Sequence, residues 1–282
     1  MHSSSLSRTP ENVEIVPRNR QFDVEETLAT NWNGGDPFRT AFFDAMSILF
    51  PYGEQFFIDS VKAFRDRIDD PELDRRVRHF MAQESVHRRE HQRYNEALCR
   101  ARGVSLDKME RVVKRRQAMA RRWLSPKQQL GGTVAFEHLT AIMADATFRN
   151  PEGLADAHPE MAALWRWHAL EETEHKSVAF DVFVAVGGRT WRRRLAMVLV
   201  TIEFTQHVIR NMRLLLHDYK GSRIELWRNG LKFLFGEHGA LRGLRRPYLD
   251  FFKKDFHPWD HDNRELVSSV MSEFGGATVN PM

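Results

Sequence analysis

The sequence predicts an all-α protein built on a four-helix bundle, with a long crossover between helices two and three and additional C-terminal helices. Two observations carry this prediction. Four long segments have helical periodicity, and each begins at a proline that follows a capping-type residue, the preferred pairing at a helix start. No segment shows the run of strict alternation that predicts strands. The segments are far longer than the mean of about 11 or 12 residues for globular proteins, as bundle helices often are.

The four predicted helices follow one another with clear boundaries. They begin at Pro37, Pro71, Pro126 and Pro159, after Asp36, Asp70, Ser125 and His158. The second ends at Gly103, the third at Asn150-Pro151 and the fourth at Gly187-Gly188, while the first runs directly into Asp69-Asp70. Glycine is favoured just past a helix end because it adopts the left-handed conformation without strain. Residues 104–124 then form the crossover between the two hairpins.

Composition and length define the expected domain organisation. The 282 residues, 42% hydrophobic, suffice for one large core or two modest ones. We expect a flexible lead over residues 1–30, the metal-binding bundle over 31–188, and a C-terminal helical extension over 189–282 packed on it. The polar start lacks the apolar stretch of a signal peptide, and a single cysteine, Cys99, fits a reducing compartment, so we expect a cytoplasmic protein.

Charge and hydropathy limit the expected partners. A formal net charge of +4 is too small to indicate nucleic-acid binding, and the arginines of residues 104–124 are expected on a solvated face. The most apolar window, residues 195–204, is about half of the ~20 residues that cross a bilayer. We expect residues 190–216 to pack on the bundle or on a second copy of the chain in a homodimer. Contact with a membrane surface is the less favoured alternative.

Two helices carry the pattern Glu-x-x-His in the middle of an apolar stripe. Helix two has Glu84 and His87, and helix four has Glu172 and His175. Both glutamates lie thirteen residues after the proline that begins their helix. The two halves of the chain therefore look like repeats of one helical hairpin, and we expect residues 37–102 and 126–186 to superpose.

Helices one and three each offer a matching carboxylate, Glu54 and Glu137. Glu54 and Glu84 are equidistant from the first turn, and Glu137 and Glu172 from the second. Residues equidistant from the turn of an antiparallel hairpin lie side by side, because each helix rises ~1.5 Å per residue. All four glutamates are therefore expected at one level of the bundle.

This set of residues predicts a dinuclear metal centre. Buried carboxylates without a partner are costly, and multivalent cations remove that cost. A glutamate from each of two helices and a Glu-x-x-His from each of two others is the ligand set of di-iron and di-manganese carboxylate proteins. Mixed oxygen and nitrogen ligands suit iron or manganese better than zinc, so we predict two iron ions, with manganese or a mixed pair as the alternative. The predicted ligands are Glu54, Glu84, His87, Glu137, Glu172 and His175.

Several neighbouring residues have open roles. His91 and His168 lie on the same stripes, one turn from the ligands; each is either an additional ligand or, the favoured interpretation, a hydrogen-bond partner of a ligand. Glu171 and Glu174 lie off the stripe and are interpreted as surface groups or supports of the ligands. Replacing Glu174 is expected to leave metal content and stability unchanged. Pro51 predicts an irregularity in helix one.

Five segments resemble a known family: FPYGEQFF, QESVHRREHQRYN, AFEHLTA, HALEETEHKSVAFDV and DFHPWD. They are similar to the bacterial "predicted metal-dependent hydrolase" family, whose members resemble ferritin-type di-iron carboxylate proteins. The resemblance spans roughly residues 20 to 270. It implies a ferritin-like bundle and places the same six residues, Glu54, Glu84, His87, Glu137, Glu172 and His175, at metal-site positions.

Three functions are compatible with such a centre. The favoured hypothesis is a di-iron oxygenase or oxidase that activates O2, takes electrons from a donor, and oxidises a small apolar substrate held near Phe50, Phe57 and Phe136. The first alternative is a metal-dependent hydrolase in which a metal-bridging hydroxide attacks an ester or amide. The second alternative is a non-enzymatic ferritin-like iron-binding protein.

Overall fold

The computed structural model describes residues 8–10, 13–271 and 274, and within them the architecture is helical throughout. An isolated β-bridge joins Asn33 and Ala157. The α-helices are α1 (Pro37–Ser47), α2 (Phe50–Lys62), α3 (Pro71–Arg102), α4 (Leu106–Trp123), α5 (Pro126–Arg149), α6 (Pro159–His175), α7 (Val178–Ala185), α8 (Thr190–Leu215), α9 (Arg223–Phe235), α10 (Arg245–Asp250) and α11 (Arg264–Met271). The predicted all-α class is confirmed.

The helix starts follow from the predicted caps. The Asp36 carboxylate accepts hydrogen bonds from the Phe38 and Arg39 N–H groups, and Asp70 does the same at the start of α3. Ser125 and Gln128 form a reciprocal capping box at the start of α5. These side chains satisfy N–H groups that have no partner within the helix.

The predicted first helix is two helices in the structure, α1 and α2, followed by a short 3-10 turn at Arg65–Arg67. The interruption lies directly before Pro51. Proline has no N–H, so it cannot donate to the carbonyl four residues earlier, that of Ser47. The Asn95 side chain fills this role, donating from Nδ2 to the Ser47 carbonyl at 2.9 Å. The expected irregularity is therefore a break that frees one backbone carbonyl for a side chain of α3.

The predicted fourth helix is also interrupted, because α6 ends at His175 and α7 begins at Val178. The linking residues Lys176 and Ser177 contact both ends of the chain. Lys176 Nζ donates to the His261 carbonyl and to Asn263 Oδ1, both at 2.8 Å. Ser177 Oγ lies 2.6 Å from Thr9 Oγ1. The end of α6 is therefore fixed by segments outside the bundle.

The crossover is itself a helix, α4, and α8 returns along the bundle beside it. α4 packs on α2 and α8, and α8 packs on α1 and α5. The arginines of α4 are solvent-exposed, as expected: Arg111, Arg115, Arg116, Arg121 and Arg122. The later helices α9, α10 and α11 pack on α1, α5 and α6. None of the helices described is both long and apolar enough to span a bilayer.

The N-terminal segment differs from the predicted flexible lead. Ile15, Phe22 and Leu28 are buried in the same core as the bundle helices. Arg18, a residue type seldom buried without a partner, is only 3% exposed. Over residues 13–30 the chain is thus an ordered strap across the bundle, whereas residues 1–7 and 11–12 lie outside the described part.

Candidate metal centre

The structure brings the six predicted ligands together inside the bundle, and none is more than 3% exposed. Glu54 comes from α2, Glu84 and His87 from α3, Glu137 from α5, and Glu172 and His175 from α6. His175 Nε2 lies 3.2 Å from Glu84 Oε1, 3.4 Å from Glu137 Oε2 and 3.6 Å from Glu172 Oε2. Carboxylates from three helices therefore converge on one imidazole nitrogen.

Two adjacent groups of these residues have the spacing of metal ligands. Ligand atoms of Glu54, Glu84 and His87 lie within 4.8 Å of one another, and so do those of Glu84, Glu137 and His175. Glu84 belongs to both groups. A carboxylate shared between two neighbouring positions is what a bridged pair of cations requires.

Most of the inward-facing atoms have no partner among the described residues. Both carboxylate oxygens of Glu54, Glu84 and Glu137 lack hydrogen bonds, as do His87 Nδ1 and His175 Nε2. Buried polar groups in native proteins are almost always paired, so a cluster of unpaired carboxylates and imidazoles is suited to hold a cation. The residues present thus fit a metal pair.

The electrostatics agree with this interpretation. Burial, reinforced by repulsion from neighbouring carboxylates, raises the pKa of Glu54, Glu84 and Glu137 well above its usual range. Burial also acts to raise the pKa of Glu172, but His175 and His168 outweigh it, and that pKa is lowered. Without a cation the cluster therefore takes up protons, and a bound metal would replace them.

A polar side chain lies on the outer side of each of the two predicted histidine ligands, and Gln83 forms a hydrogen bond with His175. His175 Nδ1 lies 2.9 Å from Gln83 Oε1, and His87 Nε2 lies 3.0 Å from Glu171 Oε2. Gln83 Nε2 donates to Glu174 at 2.7 Å, so the Gln83 oxygen must face His175 as an acceptor. His175 consequently carries its proton on Nδ1 and directs the Nε2 lone pair at the glutamates.

Arg18 lies between Glu171 and Glu174, the carboxylate that accepts from Gln83. Its guanidinium donates to Glu174 Oε1 at 2.7 Å and to Glu171 Oε1 at 3.2 Å. Glu171 and Glu174 are 0% and 2% exposed, so the interpretation of them as surface groups is wrong; they support the ligands. Sequence reasoning missed Arg18, because this residue lies in a segment that lacks helical periodicity.

His91 and His168 extend the site toward α1. His91 Nε2 lies 2.6 Å from His168 Nδ1, and His168 Nε2 lies 3.0 Å from Glu172 Oε1. At its other nitrogen, Nδ1, His91 lies 2.8 Å from Ser47 Oγ, which donates to Asn95 Oδ1 at 2.7 Å. The chain of contacts therefore runs from Glu172 through both histidines to Ser47 and Asn95.

The direction of each hydrogen bond in this chain follows from Asn95. Its Nδ2 donates to the Ser47 carbonyl, so its Oδ1 must be the group that accepts from the Ser47 hydroxyl. His91 Nδ1 then has to donate to Ser47 Oγ, which leaves His91 Nε2 to accept from His168 Nδ1. His168 Nε2 consequently presents a lone pair to the Glu172 carboxylate, an arrangement that only a proton or a metal between them makes favourable.

A small cavity of about 50 Å³ adjoins the cluster on this side. His168 and Glu172 form its inner wall, and Phe43, Phe50 and Trp165 are among its apolar walls. Thr140 Oγ1 donates to Glu172 Oε2 at 2.5 Å and fixes this carboxylate. Of the three phenylalanines expected beside the ligands, Phe50 lines this cavity, whereas Phe57 and Phe136 line a different one.

Comparison with known proteins gives one match. A family model described as "Predicted metal-dependent hydrolase" matches residues 16–262, most of the chain. No curated protein and no solved structure matches.

Proposed function

Because the chain belongs to the family of predicted metal-dependent hydrolases, we propose that it is a hydrolase that works through a dinuclear metal centre inside the helical bundle. The observation that carries the proposal is the set of buried, unpaired carboxylate and imidazole atoms contributed by α2, α3, α5 and α6. The family description supports hydrolysis as the reaction. The substrate would be a small organic ester or amide.

The proposed ligands are Glu54, Glu84, His87, Glu137, Glu172 and His175, together with His168. His91 has both ring nitrogens engaged, by Ser47 and His168, and so acts as a positioning residue. The direction of these hydrogen bonds favours His168 as an additional ligand, in place of the indirect role preferred from sequence. Four carboxylates favour iron or manganese over zinc, and we propose two iron ions.

A metal pair supplies Lewis acidity and lowers the pKa of a water molecule to near neutrality. The protein's own groups prepare the site for this chemistry. Gln83 holds the ring orientation of His175 through a hydrogen bond, which keeps the Nε2 lone pair directed inward, and the Glu171 carboxylate lies 3.0 Å from His87 Nε2. Phe50 and Trp165 limit contact with bulk water, which strengthens every electrostatic interaction inside.

Activation of O2 by a di-iron pair is the second candidate, and the cavity beside His168 favours it. Its volume of about 50 Å³ suits O2 or water and is too small for an ester unless the walls move. The carboxylate-rich ligand set is also that of di-iron proteins. This reaction would need an electron donor and a substrate that approaches the centre. The third hypothesis, iron binding without catalysis, stays a prediction.

The metal centre is tested by Glu84→Gln, compared with Glu96→Gln on the exposed side of the same helix. In metal-free protein Glu84→Gln should raise the melting temperature, because it removes a buried carboxyl group that must either take up a proton or repel its neighbours. It should also abolish the rise in melting temperature that metal produces in the wild type, and lower the metal content measured by elemental analysis. Glu96→Gln should bind metal as the wild type does. Equal metal content in both variants would contradict the proposed centre.

The reaction is tested with iron-loaded protein under argon and in air. Hydrolysis of a panel of chromogenic esters and amides under argon, lost in Glu84→Gln, is expected of the hydrolase. The alternative result is O2 consumption after reduction of the iron, without cleavage of any ester or amide. If Glu84→Gln also abolishes this O2 consumption, the second candidate function is favoured over hydrolysis.

A further inference from the structure

A second, larger cavity of about 320 Å³ lies between α2, α4, α5 and α8. Its walls are mostly apolar and include Leu49, Phe57, Phe136, Leu199 and Phe204. Cavities of this size and polarity are typical of small-molecule sites. Trp191, Leu195 and Leu199 at its edge on α8 are more than half exposed, so the cavity opens to solvent along that helix.

Glycines in two of the helices leave room for this cavity. Gly53 of α2 and Gly132 of α5 both line it. Glycine inside a helix costs roughly 1 kcal/mol relative to alanine, so it calls for a reason. Crowding is not the reason here: a Cβ on Gly132 would meet no atom closer than Phe56 at 4.0 Å, and one on Gly53 would meet Phe57 at 3.6 Å. What the missing side chains provide is space.

The cavity is long and narrow. Its lining on α8 runs from Trp191 to His207, about 24 Å at the helical rise per residue. Residues from Val113 to Leu124 of α4 line it alongside. A volume of about 320 Å³ spread over such a length suits a linear chain rather than a compact ring system.

One end of the cavity carries a cation without a carboxylate. Arg192 lines this end, and its buried Nε has no hydrogen-bond partner among the described residues. Its guanidinium carbon lies 5.4 Å from the centroid of the Trp191 ring. Arg116 also lines the cavity, but it interacts with Glu203, which lies there as well. Arg192 is therefore the group able to receive an anion.

We propose that this cavity binds a linear amphiphile with an acidic head, such as a fatty acid. The apolar chain lies between α4 and α8, and the carboxylate pairs with Arg192. The inference goes beyond the proposed hydrolase and rests on this cavity alone, so metal-free protein should bind the ligand as well.

The probe is 11-(dansylamino)undecanoate, titrated by fluorescence into metal-loaded and EDTA-treated protein. Saturable binding of one probe per chain is expected in both states, and failure in both overturns the proposal without touching the metal centre. Dodecanoate should displace the probe about tenfold better than dodecanol, because a charge-assisted hydrogen bond contributes about 1.4 kcal/mol or more.

Two pairs of variants test the cavity and its charged end. Gly132→Leu should weaken probe binding at least tenfold, whereas Gly132→Ala should fold well and bind nearly normally. Leu199→Trp at the exposed rim narrows the same space without changing the core, so it serves if Gly132→Leu does not fold. Arg192→Gln should remove the preference for acid over alcohol, and Arg194→Gln, on the same helix but outside the cavity, should keep it.

A lipid bilayer also presents apolar chains with polar heads, so the protein could bind a membrane surface and not a single amphiphile. The wild type and Gly132→Leu are therefore also sedimented with phosphatidylcholine vesicles. Equal co-sedimentation of both proteins, with no saturable binding of the monomeric probe, would overturn the proposal in favour of adsorption to the membrane surface. Unchanged probe affinity in both Gly132→Leu and Leu199→Trp would overturn it too.

Discussion

At the scale of single residues, the candidate site depends on a few buried charges whose partners come from distant parts of the chain. Arg18 is the clearest case, because its guanidinium is almost fully buried between the carboxylates of Glu171 and Glu174. A buried ion pair adds little net stability compared with an apolar replacement of the whole group. Removing one member, however, leaves an unpaired charge in the interior.

We therefore expect Arg18→Met to lower the free energy of unfolding by about 3 to 5 kcal/mol, measured by urea denaturation. The triple variant Arg18→Met, Glu171→Gln, Glu174→Gln should recover much of this loss, since no buried charge is then left alone. Arg8→Met, which breaks the exposed ion pair with Asp260, is the control and should change stability by less than about 1 kcal/mol. Equal effects of Arg8→Met and Arg18→Met would show that the buried network is unimportant. The sequence-based expectation that Glu174 can be replaced without cost is reversed by the same geometry.

Asp44 should make stability depend on pH. Its carboxylate accepts hydrogen bonds from Tyr94 Oη at 2.5 Å and Trp32 Nε1 at 3.0 Å, yet burial raises its pKa from 3.8 to about 6. The folded state binds this proton more tightly than the unfolded state, so stability falls as pH rises from about 4 to about 6 and is constant above that. The difference is about 3 kcal/mol. Asp44→Asn should lack this fall, and its stability relative to the wild type should increase over that range.

The measurement is urea denaturation of Asp44→Asn and wild type at pH 4 and pH 7. Asp66→Asn, at an exposed carboxyl, is the control and should keep a constant difference from the wild type. A constant difference for Asp44→Asn as well would mean that this buried carboxyl does not titrate in the expected range.

At the scale of helices, the break between α1 and α2 has a consequence for the candidate centre. Pro51 leaves the Ser47 carbonyl without its helical donor, and the Asn95 side chain donates to this carbonyl instead. The orientation of Asn95 in turn sets the direction of the hydrogen bonds that run through His91 to His168. A helix irregularity thus determines whether His168 Nε2, the nitrogen that faces Glu172, presents a lone pair.

Pro51→Ala should restore an N–H that competes with Asn95 for the Ser47 carbonyl. We expect the stability of the metal-free variant to change by less than about 1 kcal/mol, since Pro51 lies in the first turn of α2, where proline is tolerated. Metal affinity, measured by competition with a chelator, should weaken about tenfold, the usual lower size of changes to groups that support ligands. Pro71→Ala, at the first position of α3 where no helical carbonyl loses its donor, should bind metal normally. Unchanged metal affinity in Pro51→Ala would show that the break between α1 and α2 has no effect on the metal centre.

Sequence patterns predict the regular features of this fold and miss the residues that follow no pattern. The helix starts follow from prolines that come after capping residues, and the placement of the four glutamates on inward faces follows from three- and four-residue steps along the sequence. Arg18 and the strap around it follow no such step, since their burial depends on contacts with helices far along the chain. Gln83 and Ser47 lie beside the stripes, but their roles depend on rotamers and on which amide oxygen faces which ring.

At the scale of the whole molecule, the candidate centre is the point where four helices meet. A metal pair held by Glu54, Glu84, Glu137 and Glu172 would link α2, α3, α5 and α6 to one another, whereas α9 contributes no residue to the predicted centre and packs against α1. A metal pair would therefore stabilise part of the fold and leave another part nearly unaffected.

Removing the metals should loosen the bundle selectively. We expect hydrogen–deuterium exchange to become faster in the central turns of α2, α3, α5 and α6 after EDTA treatment, with little change in α9. Mass spectrometry of peptides from the loaded and stripped protein measures this directly. Faster exchange confined to α9, or spread evenly over all helices, would contradict a centre that links these four helices.

The narrow cavity beside His168 would also affect how fast a metal ion enters and leaves the candidate centre. At about 50 Å³ it has room for only a few water molecules, whereas a hydrated divalent cation carries about six. An ion that entered by this route would have to shed part of its water beside Phe50 and Trp165. Loading and release of metal would then be slower than at an open surface, and the rate at which a chelator removes the metal would report this barrier.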